Sequence, residues 1–376
     1  MPATFCWLFR GCSARYPLHA MTTRQRVLTG DTPTGNLHIG HWVGSVKRRV
    51  ELQSQHDCFF LIANLHAYTT RADDPMAVHR DCIEVARDAL AMGVDPKQAA
   101  IFLQSEVPAL AELNYLFAML LPFNRVMRNP TLKDELQVKG LADSYSFGFP
   151  LYTVGQTADI LAFRAHSVPV GEDQVPHLEL TREVARRFNK MYCGVADKAP
   201  DEEHEQLGGV FPIPLADVGK VGRLIGTDGQ RKMSKSLGNT IHIIDTPKQV
   251  KKKIGKIYTG QDSRQPTDPG IIDPEKNPLF QYLDVFIEDE TLKADVCDRY
   301  ERGDNIGDGE VKMLVADAIN KLLEPMRERR KQYEDDAAVL AVLRDGTAQA
   351  IAATEETLSM AKEAAGTGFF PRTVSI

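Results

Sequence analysis

The stretch Val27-Leu28-Thr29-Gly30-Asp31-Thr32-Pro33-Thr34-Gly35-Asn36-Leu37-His38-Ile39-Gly40-His41-Trp42-Val43-Gly44-Ser45 decides how the chain reads. A short apolar strand runs into a turn of Gly, Asp, Thr and Pro, and a helical pattern starts at His38. A strand, a Gly-rich turn and a helix N-terminus make a site for phosphate, because free N–H groups and the positive end of the helix dipole face one point. Such turns are common, so alone this is a weak signal. A second segment far downstream, Lys232-Met233-Ser234-Lys235-Ser236, adds two lysines on a Gly-flanked loop.

Working outward, apolar β-type runs at 27–29, 58–63, 100–104, 167–170 and 222–226 alternate with helical patterns at 40–55, 75–92, 109–121 and 174–190. Near-continuous apolar strands separated by helices predict an α/β fold, a doubly wound, Rossmann-like parallel sheet of five strands covered on both faces. Ligands bind such a sheet at the carboxyl ends of its strands, where the turn after residue 29 lies. The 109–121 helix is apolar nearly all round, which predicts burial in the core or against a second subunit. Residues 123–148 read as an irregular, charged insertion.

Past residue 245 the strand signals stop. Val311, Leu314, Val315, Ala318, Ile319, Leu322, Leu323 and Met326 mark one face of a long helix, and 336–364 gives another. The expected organisation is a catalytic Rossmann-like domain over 25–244, with an irregular or helical insertion about 109–150, and an all-helical domain over 245–376. Residues 1–24 stand apart, with Arg10, Arg15 and Arg24 and no acidic residue. Met21 is a natural start for the first strand, and an amphipathic Arg/Ser helix is missing, so an extension is preferred to a targeting presequence.

A chain of 376 residues is long enough for two or three domains. No run of about 18 apolar residues exists, so no membrane partner is expected. The net charge of −6 argues against indiscriminate nucleic-acid binding but leaves room for basic patches at 47–49, at 248–256 and at 327–331. Cys6, Cys12, Cys58, Cys82, Cys193 and Cys297 form no CxxC pair, the pattern of a reduced intracellular protein with no structural metal. A cytoplasmic location is expected.

His38-Ile39-Gly40-His41 and Lys232-Met233-Ser234-Lys235-Ser236 resemble the two signature motifs of class I aminoacyl-tRNA synthetases. Gly171-Glu172-Asp173-Gln174, followed by His177-Leu178-Glu179-Leu180-Thr181-Arg182 and Arg187-Phe188-Asn189, resembles the tryptophanyl branch. The tyrosyl enzymes share only the Gly-x-Asp-Gln core. The resemblance runs from residue 26 to about 365 and weakens in the helical tail. It implies activation of L-tryptophan by ATP, with Mg²⁺ accompanying the nucleotide, and transfer to tRNA(Trp). A homodimer and an anticodon-reading helical domain belong to the same implication, with 251–253, 256 and 327–331 as candidate RNA phosphate contacts.

Amino-acid activation is attack of a carboxylate on the α-phosphate of ATP, so positioning and charge stabilisation supply most of the rate. His38 and His41, three apart on the first helical turn, can donate to the triphosphate. Gly40 lets the adenine or ribose approach the backbone, and Thr32, Pro33 and Thr34 set the phosphate-facing turn. Lys232 and Lys235, with Met233, Ser234 and Ser236, form a lid over the leaving pyrophosphate. Gly171, Glu172 and Asp173 are expected at the nucleotide, Asp173 on the ribose hydroxyls, and Leu224 against adenine.

By resemblance, Asp159 accepts the indole N–H, with Gln174 and His66 as pocket neighbours. Thr32 and Gln156 replace the Gln and Met common in the family, Asn64 replaces an Asp, and 128–134 departs from the usual segment. The alternatives are a tyrosyl enzyme and a synthetase-like RNA-binding or regulatory protein that no longer acylates.

Overall fold

The computed structural model describes residues 24–138, 140, 145–219, 224–229, 232–261 and 263–374, with the Ser236 side chain set aside. Residues 1–23, and with them nearly all of the expected extension, lie outside the described residues. Strands β1 (Arg26–Asp31), β2 (Asp57–Ile62), β3 (Ala99–Leu103), β4 (Ser167–Val170) and β5 (Leu215–Val218) form one parallel sheet in the order β3-β2-β1-β4-β5. The winding direction reverses between β1 and β4. A crevice therefore opens between the carboxyl ends of these two strands, where the Thr32 turn and the Gly171 turn face each other.

The fifth strand corrects the sequence reading. It is Leu215–Val218, not 222–226. Residues 222 and 223 lie outside the described residues, and Ile225 makes only an isolated antiparallel bridge to Lys232.

Ile39–His41, Trp42–Val46 and Lys47–Leu52 run on as helix α1, with a wide π-type turn in the middle. Then come α2 (Asn64–Arg71), α3 (Pro75–Met92), α4 (Pro108–Ala118), α5 (Phe123–Met127), α6 (Pro130–Val138), α7 (Gly148–Ala162) and α8 (Val175–Cys193). The stretch read as irregular thus contains two short helices, α5 and α6. Helix α3 starts where its chemistry says it must: the Asp74 carboxylate accepts the Ala77 N–H, Pro75 holds the first turn, and Gly93 ends it at φ +111°.

After residue 245 the described residues hold helices and no strand: α9 (Pro247–Ile254), α10 (Pro278–Phe286), α11 (Glu290–Arg302), α12 (Asp308–Lys331) and α13 (Asp336–Ala364). No helix among the described residues is long and apolar enough to cross a membrane.

Side chains alternate across the sheet as the period of two requires. Val27, Phe60, Ile62 and Ile101 enter one apolar cluster, and Leu28, Leu61 and Phe102 enter the other. The first cluster continues without a break into α9–α12 through Val250, Leu279, Val311 and Ile319. The second holds α4, α7 and α8. Helix α4 is less buried than its composition suggests: Leu110, Leu113 and Phe117 point inward, while Tyr115 and Met119 are 72% and 64% exposed.

Helix α13 lies across β3, and its small residues make that possible. A Cβ on Gly346 would stand 2.1 Å from the Ile101 carbonyl oxygen. Replacing Gly346 by Ala forces helix and strand apart in a packed core, at a cost of about 1–3 kcal/mol. The midpoint of thermal unfolding of Gly346→Ala is expected to fall accordingly; an unchanged midpoint would show that α13 does not sit against β3 so closely.

Candidate active site

Two histidines cap the first helix reciprocally. The Gly40 N–H donates to Nδ1 of His38 at 3.1 Å, and the His38 N–H donates to Nδ1 of His41 at 3.1 Å. Both rings spend their δ nitrogen accepting from the backbone, so in each the proton sits on Nε2. The rings meet at a tilt of 51° with centroids 3.8 Å apart. Burial, then the charges of His41 and Lys235, push the His38 imidazole down to about 2. His41 falls to about 4 through burial, against the pull of Asp31. Two neutral rings thus present N–H donors at the start of a helix, a surface that accepts anions without carrying charge itself.

Gly40 has a local reason to be glycine. A Cβ there would lie 2.8 Å from His38 Nδ1 and 3.4 Å from the Met233 sulfur. The capping ring stands where a Cβ would go, and the second motif packs on the first. The two motifs also meet through Lys235, whose Nζ donates to Thr34 Oγ1 at 3.1 Å and to the Gly35 carbonyl at 2.7 Å. Burial lowers the Lys235 ammonium to about 8, against Asp81, Asp88 and Asp31, which favour its charge. Asn239, itself buried, anchors the lysine loop: it accepts from the Ser234 N–H at 2.8 Å and donates to the Lys232 carbonyl at 3.2 Å. The Met233 N–H donates to the Leu224 carbonyl at 2.9 Å, so that oxygen is already engaged.

The crevice holds a cavity of about 540 Å³, in the size range of a small-molecule site. Of the residues expected at the site, Thr32, Thr34, His66, Asp159, Gly171 and Gln174 line it. The others, from His38 and His41 through Pro33, Glu172, Asp173 and the lysine loop, stand outside its lining, and the Ser236 side chain lies outside the described residues.

At the closed end, Asp159 on α7 is 2% exposed. The Gln104 amide donates to both of its oxygens at 2.9 Å and approaches His66 Nε2 at 3.0 Å. Gln104 is itself held by the Leu65 and His66 N–H groups, which donate to its Oε1 at 3.2 and 3.3 Å. Burial pushes the Asp159 carboxyl up to about 7, with the Gln104 amide pulling the other way. Burial, with the His177 charge adding to it, brings His66 down to about 4. Gly155 makes room for this cluster, since a Cβ there would stand 2.7 Å from His66 Nε2.

Sequence reasoning missed several members. Gln104 reads as the end of a strand; its amide is visible as a site group only once β3 is seen to end opposite α7. Arg49 grips Asp31 with two hydrogen bonds, one of them at 2.8 Å, on the cavity wall. Burial works against the Asp31 carboxylate, but the Arg49 guanidinium holds it below its ordinary value. Arg71 reaches back to the Pro33 carbonyl at 2.7 Å and pairs with Asp81 at 2.8 Å. In the basic run 327–331 the arginines have partners within the chain, and Lys331 pairs with Glu328 at the surface. Arg329 donates to the Ala91 carbonyl, Arg330 to Asp88 and Glu84, and Arg327 to Asn320. Lys251 and Lys253 pair with Asp317 and Asp245.

A doubly wound sheet with two histidines at the helix after β1, and a lysine loop closing on the same turn, is the architecture of a class I aminoacyl-tRNA synthetase core. The model of the family described as tRNA synthetases class I (W and Y) matches residues 20–324. The tryptophan–tRNA ligase of Treponema pallidum is 44% identical over 348 residues, covering 91% of this chain and 96% of that relative. That of Clostridium longisporum is 41% identical over 92% of this chain and 98% of its own. The tryptophanyl-tRNA synthetase of Campylobacter jejuni, solved with ADP and tryptophan, superposes with a TM-score of 0.75 at 33% identity, over 91% of this chain and 99% of that one. The chain belongs to the class I tRNA synthetases of the tryptophan and tyrosine group, on the tryptophan–tRNA ligase branch.

The buried carboxyl generates a pH-dependent prediction. Its folded value of about 7 lies above its ordinary 3.8, so its contribution to stability is complete below pH 3.8 and lost as pH rises through 7. Asp159→Asn carries no such charge. Relative to the wild type it is expected to gain thermal stability between about pH 4 and 8, by a few kcal/mol at most. A difference in unfolding midpoint that does not move with pH would contradict the environment described for Asp159.

Proposed function

We infer that this protein activates L-tryptophan with ATP and transfers the tryptophanyl group to the 3′-terminal ribose of tRNA(Trp). The observation that carries the reading is one cavity that runs from the Thr32–Thr34 turn to the buried Asp159. It offers a polar mouth for phosphate and, further in, the buried Asp159 carboxylate, with Leu28, Leu61, Ile160 and Val168 as apolar lining and Glu135 also on the wall.

In the first step the tryptophan carboxylate oxygen forms a bond to the α-phosphorus as the bond to the pyrophosphate oxygen breaks. Nε2–H of His38 and of His41 donate to the phosphates, with the Thr32, Pro33 and Thr34 turn and the Gly40 backbone shaping the seat. Lys235 leaves Thr34 and Gly35 and, with Lys232, follows the charge that gathers on the leaving pyrophosphate. Met233, Ser234 and Ser236 carry that loop. Gly171, Glu172 and Asp173 take the ribose side and Leu224 the adenine side. Asp159 accepts the indole N–H, with His66 and Gln174 beside it. An amino acid without that donor leaves a buried acceptor unpaired, and discrimination follows.

Among the described residues no group of three or more His, Cys, Asp or Glu is placed to hold a metal alone. Mg²⁺ fits as a companion of the nucleotide, where it neutralises phosphate charge. In the second step a ribose hydroxyl of the tRNA attacks the carbonyl carbon and AMP leaves.

For the finer partners, the helical region after 245 reads the anticodon, with the exposed Lys248, Lys252 and Lys256 contacting phosphate. A homodimer is the expected assembly, since α4 and the start of α5 present Tyr115, Met119 and Phe123 to solvent. The free, buried Cys58 and Cys82 are in keeping with a reducing cytoplasm.

Pyrophosphate exchange dependent on tryptophan tests the activity; exchange with tyrosine and none with tryptophan would overturn it. Lys235→Ala is expected to lower the rate of activation by about 10²-fold with little change in ATP affinity, and a pure KM effect would remove the lysine from the transition state. Tyr115→Asp combined with Met119→Asp is expected to sediment as a monomer where the wild type is a dimer; a dimeric double variant would place the interface elsewhere.

A further inference from the structure

Two arginines of the basic run that closes α12, Arg329 and Arg330, reach α3, and Arg330 is tied to the signature turn. Arg330 donates from Nε to Asp88 Oδ1 at 2.8 Å and from a terminal nitrogen to Glu84 Oε2 at 2.5 Å. Both carboxylates lie on α3, one turn apart, and Asp88 is fully buried. Their remaining bonds go to the residues just ahead of the histidine cap. The Leu37 N–H donates to Asp88 Oδ2 at 2.7 Å, and the Asn36 amide donates to Asp88 Oδ2 at 3.3 Å and Glu84 Oε2 at 2.9 Å.

Leu37 precedes His38, whose place as helix cap orients both rings. A carboxylate removed from water keeps its charge only while a cation and hydrogen bonds satisfy it. The cation here comes from the helical region. Without it Asp88 is left with neutral donors, and it either takes up a proton or shifts, so that its hold on the Leu37 N–H weakens. Asp88 also contributes to the field at Lys235, so the other half of the clamp feels the same group.

We propose that Arg330 is a positioning residue for the nucleotide: through Asp88 it fixes the Asn36–Leu37 backbone and the His38 cap, so that ATP binding depends on how the end of α12 is seated on α3. The inference rests on the reading of the site as an ATP site.

A neighbouring arginine supplies the control. Arg87 holds the same corner, with Nε on the Tyr333 carbonyl at 2.7 Å and its other nitrogens on Glu84 and Asp336, but none of these bonds reaches Asp88. In tryptophan-dependent exchange, Arg330→Ala is expected to raise the KM for ATP about tenfold and the KM for tryptophan less than about twofold. Arg330→Lys, which returns the charge, is expected to recover most of the loss, and Arg87→Ala to leave both constants within about twofold. Equal effects on both substrates, or the same ATP effect from Arg87→Ala, would show a merely structural role and overturn the proposal.

If Arg330→Ala does not fold, Asp88→Asn is read in its place, with the same ATP-selective rise expected and an equal rise for both substrates overturning it. Direct ATP binding by calorimetry on the same variants separates the two readings. Wild type that binds ATP without exchanging tryptophan refutes the proposed function alone; ATP affinity that ignores Arg330 and Asp88 refutes the positioning role alone.

Discussion

The reciprocal cap between His38 and His41 is the interaction on which the rest of the site depends. A helix start leaves N–H groups without partners, and here the Gly40 and His38 N–H groups are taken up by two imidazoles. That arrangement fixes which nitrogen of each ring carries the proton. It also fixes where the rings lie, over a glycine that has no side chain to push them off. Everything that touches this corner is fitted to it. Met233 packs from the lysine loop, Lys235 bonds to the turn, and Asp88 holds the residue just upstream.

The crevice solves two electrostatic problems in opposite ways. Beside its mouth stand two neutral imidazoles and a lysine that burial lowers while several carboxylates favour its charge. At its closed end a carboxylate is buried with an amide as partner, and burial raises it toward neutrality. The Asp31–Arg49 pair on the same cavity wall is a charged contact that neutralises itself where a bare charge would be costly.

Much of this was legible in the sequence, for physical reasons that can be named. Strands β2 and β3 show as apolar runs because both faces of a parallel sheet are buried. Helix α3 announces its own ends through Asp74, Pro75 and Gly93. Strand β5 did not show: Leu215-Ala216-Asp217-Val218 is a short edge strand that follows Pro212 and Pro214 and is interrupted by Asp217, with Leu215 61% exposed. The site residues that escaped notice act through tertiary contacts. Gln104 matters because β3 ends opposite α7, and Arg330 because α12 ends on α3. The spacing of His38 and His41 is that of a capping box as well as of a phosphate site, and sequence suggested only the second.

The central claim is that the signature turn offers phosphate two neutral imidazoles with their protons on Nε2. Nitrogen NMR of protein labelled with ¹⁵N-histidine, assigned with His38→Asn and His41→Asn, tests it directly. Both rings are predicted to show the neutral Nε2–H tautomer throughout about pH 6 to 8. An imidazolium signal, or a proton on Nδ1 of either ring, would contradict the account.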